Sequence, residues 1–430
     1  MIFAVAGHPV AHSKSPYIFN THFQSTGMDA SYTAFAADNA AEIAGTMREL
    51  GVRGMNVTAP YKESVIQYCD TVSDEARALD SVNTLVNDDG TIHGYTTDGY
   101  GVTRTIGDVV GLRTGRRALL IGAGGAGRMA AEALHGLGIA FTVVNRTFDK
   151  ARKLADMFQA EAVRTDDVPE VCRHADIVIN TLPAGASLFP GSLLKPGSYL
   201  LDAVYTENRF RSEAQANGVR IIPGEAWLLH QAHGAAHHFF GQGLTKRITT
   251  ASLARYRRDV PGIIALTGFM GSGKTSVAQE LSRITELPLL DIDDEIVHRE
   301  GTSIGNIFKE KGEPYFRDRE ARLLLEIAES GRRLILSCGG GIISNDRNNR
   351  ILKEKTYTVW LYAPMDVSFE RIHDSGRPLA RNGYQKFTDL FRERKERYAL
   401  SSDLLVINHQ KTPESCARRI HEEISRIISH

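Results

Sequence analysis

The sequence predicts an α/β protein with more than one domain. Short apolar runs alternate with helical patterns along the 430-residue chain, which is typical of mostly parallel sheets covered by helices. Two glycine-rich loops each follow a buried-strand pattern and precede a helical one. At about 150 residues per domain, the chain has room for two or three domains, so a single small module is excluded.

Charge and cysteine usage narrow the classes of function. Lys+Arg and Asp+Glu both total 51, and the balance holds on both sides of residue 258. This argues against a broad nucleic-acid or anionic-membrane surface. The four cysteines lie far apart without zinc-site spacing, and neither a signal-peptide pattern nor a run of 18 apolar residues is present. We therefore expect a cytoplasmic protein with small-molecule partners, either a monomer or a dimer.

The first hundred residues carry the first α/β pattern. Strand-like runs occur at IFAVAG, SYTAFA, GMNVTAP and NTLVN, with helical patterns over 17–25 and 40–50. Polar residues stand beside the predicted turns and strand ends, including Ser13, Ser15, Thr58, Lys62 and Asp98. Such a hydroxyl-rich set suits a polyhydroxylated small acid, and one Lys with one Asp suits proton handling in ketone reduction. Taken singly, each is more often a turn or cap residue.

A doubly wound nucleotide domain is predicted next. The run ALLIGAGGAG enters the first glycine loop, and the strands FTVVN, ADIVINTL and YLLDAVY follow. Gly122–Gly127 fits G-x-G-x-x-G, the dinucleotide fingerprint. The second strand ends in Asn145, Arg146 and Thr147 rather than in an acid, which favours NADP over NAD, with Lys150 assisting. The alternatives are a tight turn and a solvated Arg146.

The second glycine loop opens another α/β pattern after the linker RYRRDVPG. Gly268–Thr275 matches G-x-x-x-x-G-K-[ST], in which Lys274 reaches the β- and γ-phosphates and Thr275 ligates Mg²⁺. Asp291 and Asp293 follow at a strand end. The alternative is a chance glycine turn with a solvent-exposed lysine.

Residues from about 261 to 430 resemble shikimate kinase, an NMP-kinase-like phosphate-loop fold. The likeness rests on the loop, the Asp-x-Asp strand end, the Arg after Phe, the triple glycine, the lid Arg before Pro-Leu, and an Arg before Tyr398. It implies that Thr275 and Asp291 hold Mg²⁺, and that Lys274 and the lid Arg act on the phosphoryl group. The implied ATP-binding residues are Gly271, Ser272, Gly273, Lys274, Thr275, Ser276, Arg377 and Lys411, with Arg371 nearby, and the implied shikimate-binding residues are Asp293, Arg317, Gly340 and Arg394.

Residues from 1 to about 258 resemble shikimate dehydrogenase. The marks are Ser-x-Ser-Pro, Asn-Val-Thr-x-Pro-x-Lys, Val-Asn-Thr, Thr-Asp-Gly, the glycine loop, Asn-Arg-Thr, Asp-x-Val-Tyr and a late Gln helix. The resemblance implies that Lys62 gives a proton to the carbonyl of 3-dehydroshikimate while Asp98 orients the same group. It assigns shikimate to Ser13, Ser15, Thr58, Lys62, Asn83, Asp98, Tyr205 and Gln231, and NADP to Gly122, Ala123, Gly124, Gly125, Ala126, Asn145, Arg146, Thr147, Lys150 and Gly224.

Together these patterns predict a two-lobed dehydrogenase with a Rossmann NADP-binding lobe, followed by a kinase. The substrate lobe would take residues 1–100 and 228–258, the NADP lobe 101–227, and the kinase 259–430. The product of the first reaction would be the substrate of the second. Three alternatives stay open: additional quinate oxidation, a ligand-responsive regulator that no longer turns over, and an ATPase or GTPase switch. A metal on the histidines of GEAWLLHQAHGAAHHFF is a lesser alternative.

Overall fold

A computed structural model describes residues 1–111, 115–183, 185–204, 208–256, 260–373 and 383–428. By packing, the chain forms two compact units. The first unit combines residues 1–68 and 87–92 with the described part of 257–430, and the second combines 69–86 with the described part of 93–256. The predicted boundary near residue 258 stays a prediction, because packing groups elements by contact and not by which segment folds alone.

Residues 1–111 contain short strands that alternate with helices, as predicted. The strands are β1 (Ile2–Gly7), β2 (Ser31–Ala36), β3 (Gly54–Val57), β4 (Thr71–Val72), β5 (Thr84–Asp88) and β6 (Thr91–Tyr95). The helices are α1 (Ser15–Thr26), α2 (Ala40–Leu50), α3 (Asp74–Ala78) and α4 (Asp98–Val109). The side chain of Asn39 accepts a hydrogen bond from the N–H of Glu42, and Gly51 ends α2 in the left-handed conformation. These caps account for the agreement at both ends of this helix.

Residues 115–256 form the doubly wound sheet that the sequence predicts. The strands are β7 (Arg117–Ile121), β8 (Ala140–Val144), β9 (Glu161–Val163), β10 (Ile177–Asn180), β11 (Tyr199–Asp202) and β12 (Arg220–Pro223). The helices are α5 (Gly125–Gly136), α6 (Phe148–Met157), α7 (Val168–His174), α8 (Arg209–Ala216), α9 (Gly224–Phe240) and α10 (Thr250–Arg255). The strand order is β12-β11-β10-β7-β8-β9, with every pair parallel. Alternate residues of β7 enter two separate cores, one on each face of the sheet.

Residues 260–428 form the phosphate-loop domain. The strands are β13 (Ile263–Thr267), β14 (Leu289–Asp291), β15 (Leu334–Ser337), β16 (Tyr357–Tyr362) and β17 (Leu404–Ile407). The helices are α11 (Lys274–Thr285), α12 (Ile292–Glu300), α13 (Ile304–Lys311), α14 (Glu313–Glu329), α15 (Asp346–Lys355), α16 (Met365–His373), α17 (Tyr384–Ser401) and α18 (Pro413–Ile428). The strand order is β14-β15-β13-β16-β17, all parallel.

The first unit joins strands from both ends of the chain into one sheet. β17 pairs in parallel with β2, so that Leu404, Leu405 and Val406 lie opposite Ala34, Phe35 and Ala36. β2 pairs in turn with β1, and β1 with β3. This pairing of β17 with β2 was not predicted from the sequence. No helix in the described ranges is both long and apolar enough to cross a bilayer.

Candidate active sites

The first glycine loop connects β7 to α5 in the second unit. The N–H of Gly122 donates to the carbonyl oxygen of Val144 at 2.9 Å, which ties the loop to the neighbouring strand. A Cβ at Gly127 would collide with the carbonyl oxygen of Gly122, so a side chain does not fit there. Helix α5 begins at Gly125 and presents its unpaired N–H groups at the loop. This arrangement fits the pyrophosphate of a dinucleotide.

The end of β8 provides the side chains predicted to select the cofactor. The Asn145 side chain accepts from the N–H of Ala123 at 3.3 Å and donates to the carbonyl oxygen of Thr147 at 3.1 Å. It therefore ties the glycine loop to the strand end. Arg146, Thr147 and Lys150 are exposed beside it. The chemistry of this set fits a 2′-phosphate, because it supplies two cations and a hydroxyl group without an acid at the strand end.

Gly224 starts helix α9 in close contact with the end of β11. A Cβ there would lie 2.7 Å from the carbonyl oxygen of Asp202. The two backbone segments are therefore so close that only glycine fits at this position. Its predicted contact with the nicotinamide stays a prediction. Tyr205, predicted to bind shikimate, lies outside the described residues.

Asp98 is the centre of a buried hydrogen-bonded group in the second unit. It begins α4 and is 2% exposed. Its Oδ1 accepts from the amide of Asn83 at 2.8 Å and from the amide of Gln231. The Asn83 oxygen in turn accepts from the N–H of Thr97 at 2.9 Å. The structure thus brings together three predicted substrate residues that are far apart in sequence.

Trp227 supports the same group from helix α9. Its indole N–H donates to the main-chain oxygen of Asp98 at 3.1 Å, and the side chain is 5% exposed. No role for Trp227 was predicted from the sequence. The structure gives this indole a local role, since it packs α9 against the start of α4.

The ends of β1 and β3 place the other predicted dehydrogenase residues in the first unit. Thr58 donates its N–H to the carbonyl oxygen of Ala6 at 2.9 Å, directly after β3. Lys62 follows one turn later and is half-buried. In the loop between β1 and α1, the Oγ of Ser13 accepts from the N–H of Ser15 at 3.2 Å. Pairing of Lys62 with Asp98 in catalysis stays a prediction.

The second glycine loop wraps around the side chain of Lys274. Its Nζ lies 2.8 Å from the Gly268 carbonyl oxygen and 2.9 Å from that of Phe269. A Cβ at Gly271, where φ is 79°, would collide with the Ser368 carbonyl oxygen. Thr275 and Ser276 are exposed in the first turn of α11. Backbone and ammonium groups therefore surround the place where the motif holds phosphates.

The triple glycine after β15 contains one of the predicted shikimate-binding residues, Gly340, and touches two others. A Cβ at Gly339 would lie 2.7 Å from Asp293 Oδ1, and one at Gly341 would collide with the Arg317 guanidinium. The Gly340 carbonyl oxygen accepts from the Tyr398 hydroxyl at 2.5 Å. Asp293, Arg317 and Gly340 therefore lie close together.

Arg394 lies close enough to Tyr398 for its charge to act on the Tyr398 hydroxyl group. Burial raises the pKa of Tyr398, and the positive charges of Arg394 and Arg317 oppose that rise. Two guanidinium groups near an aspartate suit an acceptor with one carboxylate and several hydroxyls. Asp291 lies nearby at the start of α12, where its Oδ1 accepts from the N–H of Asp293 at 3.0 Å. With Thr275 it offers the hard oxygen ligands that Mg²⁺ prefers.

The predicted nucleotide-contacting residues have different surroundings. Arg371 donates to the carbonyl oxygen of Gly271 at 3.1 Å and so braces the phosphate loop. The Nζ of Lys411 lies 2.6 Å from Asp38 Oδ2 and 2.8 Å from Glu42 Oε1, in ion pairs that the sequence did not indicate. Arg377 lies outside the described residues.

The histidines of helix α9 pack against neighbouring side chains. His230 Nε2 lies 3.4 Å from Asp108 Oδ2, and the His238 ring stacks on Tyr95. Within the described ranges, no three His, Cys, Asp or Glu side chains are grouped so as to hold a metal ion.

Three family models match successive parts of the chain. Residues 5–85 match the shikimate dehydrogenase substrate binding domain, 108–195 match shikimate / quinate 5-dehydrogenase, and 270–425 match shikimate kinase. The shikimate dehydrogenase (NADP(+)) of Pyrococcus abyssi is 36% identical over 236 residues, covering 54% of this chain and 88% of that protein. The chain belongs to the shikimate dehydrogenase family. The same chain also carries a shikimate kinase domain over residues 270–425.

Solved structures agree with this assignment. Shikimate 5-dehydrogenase from Thermus thermophilus in complex with NADP(H) and shikimate is 33% identical, with a TM-score of 0.54, and the match covers 59% of this chain and 98% of that one. Shikimate dehydrogenase from Aquifex aeolicus is 30% identical, with a TM-score of 0.56, covering 60% and 98%. Quinate dehydrogenase from Corynebacterium glutamicum in complex with NAD is 25% identical, with a TM-score of 0.53, covering 59% and 97%. The predicted α/β fold and the predicted pair of enzyme domains are confirmed.

Glu320 lies beside the predicted shikimate-binding residues but was not predicted from the sequence. It is 0% exposed, and its Oε2 accepts from Arg317 at 2.9 Å, while Oε1 has no hydrogen-bond partner among the described residues. Burial raises the pKa of Glu320 to about 7, although the Arg317 charge opposes the shift. The spacing of three residues on a helix would have placed Glu320 beside Arg317.

A Glu320→Gln variant should change how stability depends on pH. The native carboxyl, with a pKa of about 7 against an ordinary 4.5, retains a proton that the unfolded chain releases. Its contribution to the free energy of unfolding is therefore fully present below pH 4.5 and falls, by on the order of 3 kcal/mol, as pH rises through 7. Gln does not titrate. Between pH 5 and 8 the free energy of unfolding of the variant, measured by urea unfolding, should therefore rise relative to that of the natural chain.

The matched control is Glu329→Gln, because Glu329 is exposed at the end of the same helix. The free energy of unfolding of Glu329→Gln should depend on pH in the same way as that of the natural chain. Parallel profiles for Glu320→Gln and the natural chain would contradict a carboxyl that titrates near neutrality.

Proposed function

We propose that this chain catalyses two consecutive reactions of the shikimate pathway. The dehydrogenase part reduces 3-dehydroshikimate to shikimate with NADPH. The kinase domain then transfers the γ-phosphoryl group of ATP to the 3-hydroxyl of shikimate, assisted by Mg²⁺. The product of the first reaction is thus the substrate of the second.

In the first reaction the bound cofactor supplies the hydride. Lys62 protonates the carbonyl oxygen as its charge develops, a role that contributes about 10²- to 10⁴-fold in other enzymes. Asp98 orients the hydroxyl group that forms from this carbonyl, and Asp98 is itself held by Asn83 and Gln231. Ser13, Ser15, Thr58 and Tyr205 bind the remaining polar groups of shikimate.

In the second reaction ATP supplies the phosphoryl group and Mg²⁺ neutralises its charge. Lys274 stabilises the transferring group, and Arg377 assists from the lid. Asp293 orients the attacking hydroxyl. Arg317 and Arg394 bind the carboxylate of shikimate, because guanidinium groups pair with carboxylates through two parallel hydrogen bonds. Thr275 and Asp291 hold the metal, with Lys411 near the nucleotide.

The observation that carries the proposal is the gathering of Asn83, Asp98 and Gln231 into one buried group. Its counterpart in the kinase domain is the contact of the triple glycine with Asp293 and Arg317. A ligand-responsive regulator that no longer turns over would be expected to have lost Lys62, Asp98, Lys274 or Asp291, and all four are present. An ATPase switch would not need Arg317 near Asp293.

The test uses the purified full chain in three assays. Shikimate should reduce NADP⁺, shikimate with ATP should yield ADP, and 3-dehydroshikimate with NADPH and ATP should yield shikimate 3-phosphate. A chain that neither oxidises shikimate nor forms ADP with it would overturn the proposal. If ADP forms equally fast without shikimate, the result supports an ATPase switch. An assay with quinate in place of shikimate tests whether the chain also oxidises quinate.

Arg146→Ala should weaken NADP⁺ binding and reduce the preference for NADP⁺ over NAD⁺. The exposed guanidinium at the end of β8 would pair with the 2′-phosphate, and a hydrogen bond to a charged group contributes about 1.5–3 kcal/mol. The KM for NADP⁺ should rise about 10- to 100-fold, while the KM for NAD⁺ changes little. Lys153→Ala, which removes an exposed cation from α6, is the control. An equal KM for NADP⁺ in Arg146→Ala and Lys153→Ala would contradict this role of Arg146.

We place the protein in the cytoplasm. Three of the cysteines, Cys172, Cys338 and Cys416, are buried free thiols, which suits a reducing compartment. Its partners are the small molecules named above, and a monomer and a dimer are both compatible with the proposal.

A further inference from the structure

The last helix of the kinase domain contacts the loop between β1 and α1 of the dehydrogenase. Glu423 lies on α18 and is 0% exposed. Its Oε2 accepts hydrogen bonds from the N–H groups of Val10 and Ala11, each at 2.8 Å. Glu423 belongs to the region that matches shikimate kinase, and the two N–H groups belong to the region that matches the dehydrogenase substrate binding domain.

The two backbone N–H groups have a strong requirement for an acceptor. Val10 and Ala11 are both 0% exposed, so water cannot replace a lost partner. A buried donor without an acceptor costs the full desolvation free energy of that group. Hydrogen bonds to a carboxylate are also stronger than those to a neutral oxygen. The carboxylate of Glu423 therefore fixes the backbone of this loop.

A short series of hydrogen bonds leads from Val10 to the predicted shikimate-binding serines. The carbonyl oxygen of Val10 accepts from the N–H of Ser13 at 2.9 Å. The hydroxyl oxygen of Ser13 then accepts from the N–H of Ser15 at 3.2 Å. A displacement of Val10 would therefore also displace Ser13 and Ser15.

Two cations that precede Glu423 in the chain hold the same part of the kinase domain in place. Arg419, one turn earlier on α18, contacts His8 Nδ1 and Asp38 Oδ1. Lys411 pairs with Asp38 at 2.6 Å and with Glu42 at 2.8 Å. These contacts align the helix along the ends of β1 and β2, so Glu423 reaches the loop from a fixed position.

We propose that Glu423 is a positioning residue for the dehydrogenase reaction. Through the N–H groups of Val10 and Ala11 it holds the loop that presents Ser13 and Ser15 to shikimate. A residue of the kinase domain is therefore part of the supporting structure of the dehydrogenase site. This inference rests on the proposed function, which assigns the two serines to shikimate.

The test compares Glu423→Ala, Glu423→Asp and Glu423→Gln in the full chain, with Glu422→Ala as the control. Glu422 is the exposed neighbour on the same helix. In Glu423→Ala the KM for shikimate in NADP⁺ reduction should rise on the order of tenfold, because two buried donors lose their acceptor. The KM for NADP⁺ and the kinase constants should stay within about twofold of the natural chain. Glu423→Gln keeps an oxygen acceptor and should restore most of the affinity.

Glu423→Asp provides a decisive result even if Glu423→Ala does not fold. Its carboxylate is one methylene shorter, so the KM for shikimate should take an intermediate value. The inference is overturned if the KM for shikimate in Glu423→Ala and in Glu423→Asp equals that of Glu422→Ala. It is also overturned if both cofactor affinity and kinase activity fall in parallel with shikimate affinity, since that indicates general loss of structure. A natural chain without shikimate oxidation would overturn the proposed function first, and this inference with it.

Discussion

Lys274→Met should reduce ATP-dependent phosphorylation of shikimate about 10³-fold, because one preorganised charge at the transferring group is removed. Met keeps most of the length and the apolar stem of the side chain. The ammonium group, which now contacts the carbonyl oxygens of Gly268 and Phe269, has no substitute. The measurement is ADP formation with saturating shikimate.

NADP⁺ reduction by shikimate should be unchanged in the same preparation. Lys309→Met is the matched control, since Lys309 is an exposed lysine of α13 in the same domain. A Lys274→Met chain that phosphorylates shikimate at the natural rate would show that the second glycine loop does not hold the reacting phosphates.

Lys62→Met should reduce the kcat of shikimate oxidation by about 10²- to 10⁴-fold, the range expected for loss of a general acid–base group. Lys62 lies one turn after Thr58 in the segment that follows β3, and Thr58 is tied to Ala6 in the adjacent strand. The change removes the group that accepts the hydroxyl proton in the oxidation direction, and we expect the backbone of this turn to keep its conformation. The kcat of NADP⁺ reduction by shikimate is the quantity to measure.

The kinase activity of Lys62→Met should equal that of the natural chain, and Lys246→Met, an exposed lysine, should affect neither activity. Loss of both activities in Lys62→Met would contradict two independent chemical sites. Unchanged dehydrogenase activity would remove Lys62 from the proton transfer.

Most of the fold was predictable because its signals are local. The helix predicted over 40–50 forms as Ala40–Leu50, with its caps at Asn39 and Gly51 encoded in adjacent residues. The two glycine loops are contiguous motifs, so their place between a strand and a helix follows from a few neighbouring residues. The helix predicted over 17–25 begins earlier, at Ser15, because Pro16 is favourable in a first helical turn.

The contacts that the sequence did not reveal join residues far apart in the chain. Asp98 and Gln231 are 133 positions apart, and Lys411 and Glu42 are 369 apart. Family resemblance indicates a role for each residue but not its hydrogen-bond partner. The acidic partners of Lys411 come from the dehydrogenase part, which a resemblance to the kinase family alone does not take into account. Its predicted nucleotide contact remains a prediction.

The pairing of β17 with β2 has a consequence for synthesis on the ribosome. About 370 residues separate these two strands, and a ribosome adds about 5–20 residues per second. The backbone groups on the open side of β2 therefore wait about 20 to 70 s for their partner strand. During that interval the nascent chain presents a bare strand that could pair with another nascent chain, so completion of the kinase domain also ends a period of vulnerability to aggregation for the dehydrogenase.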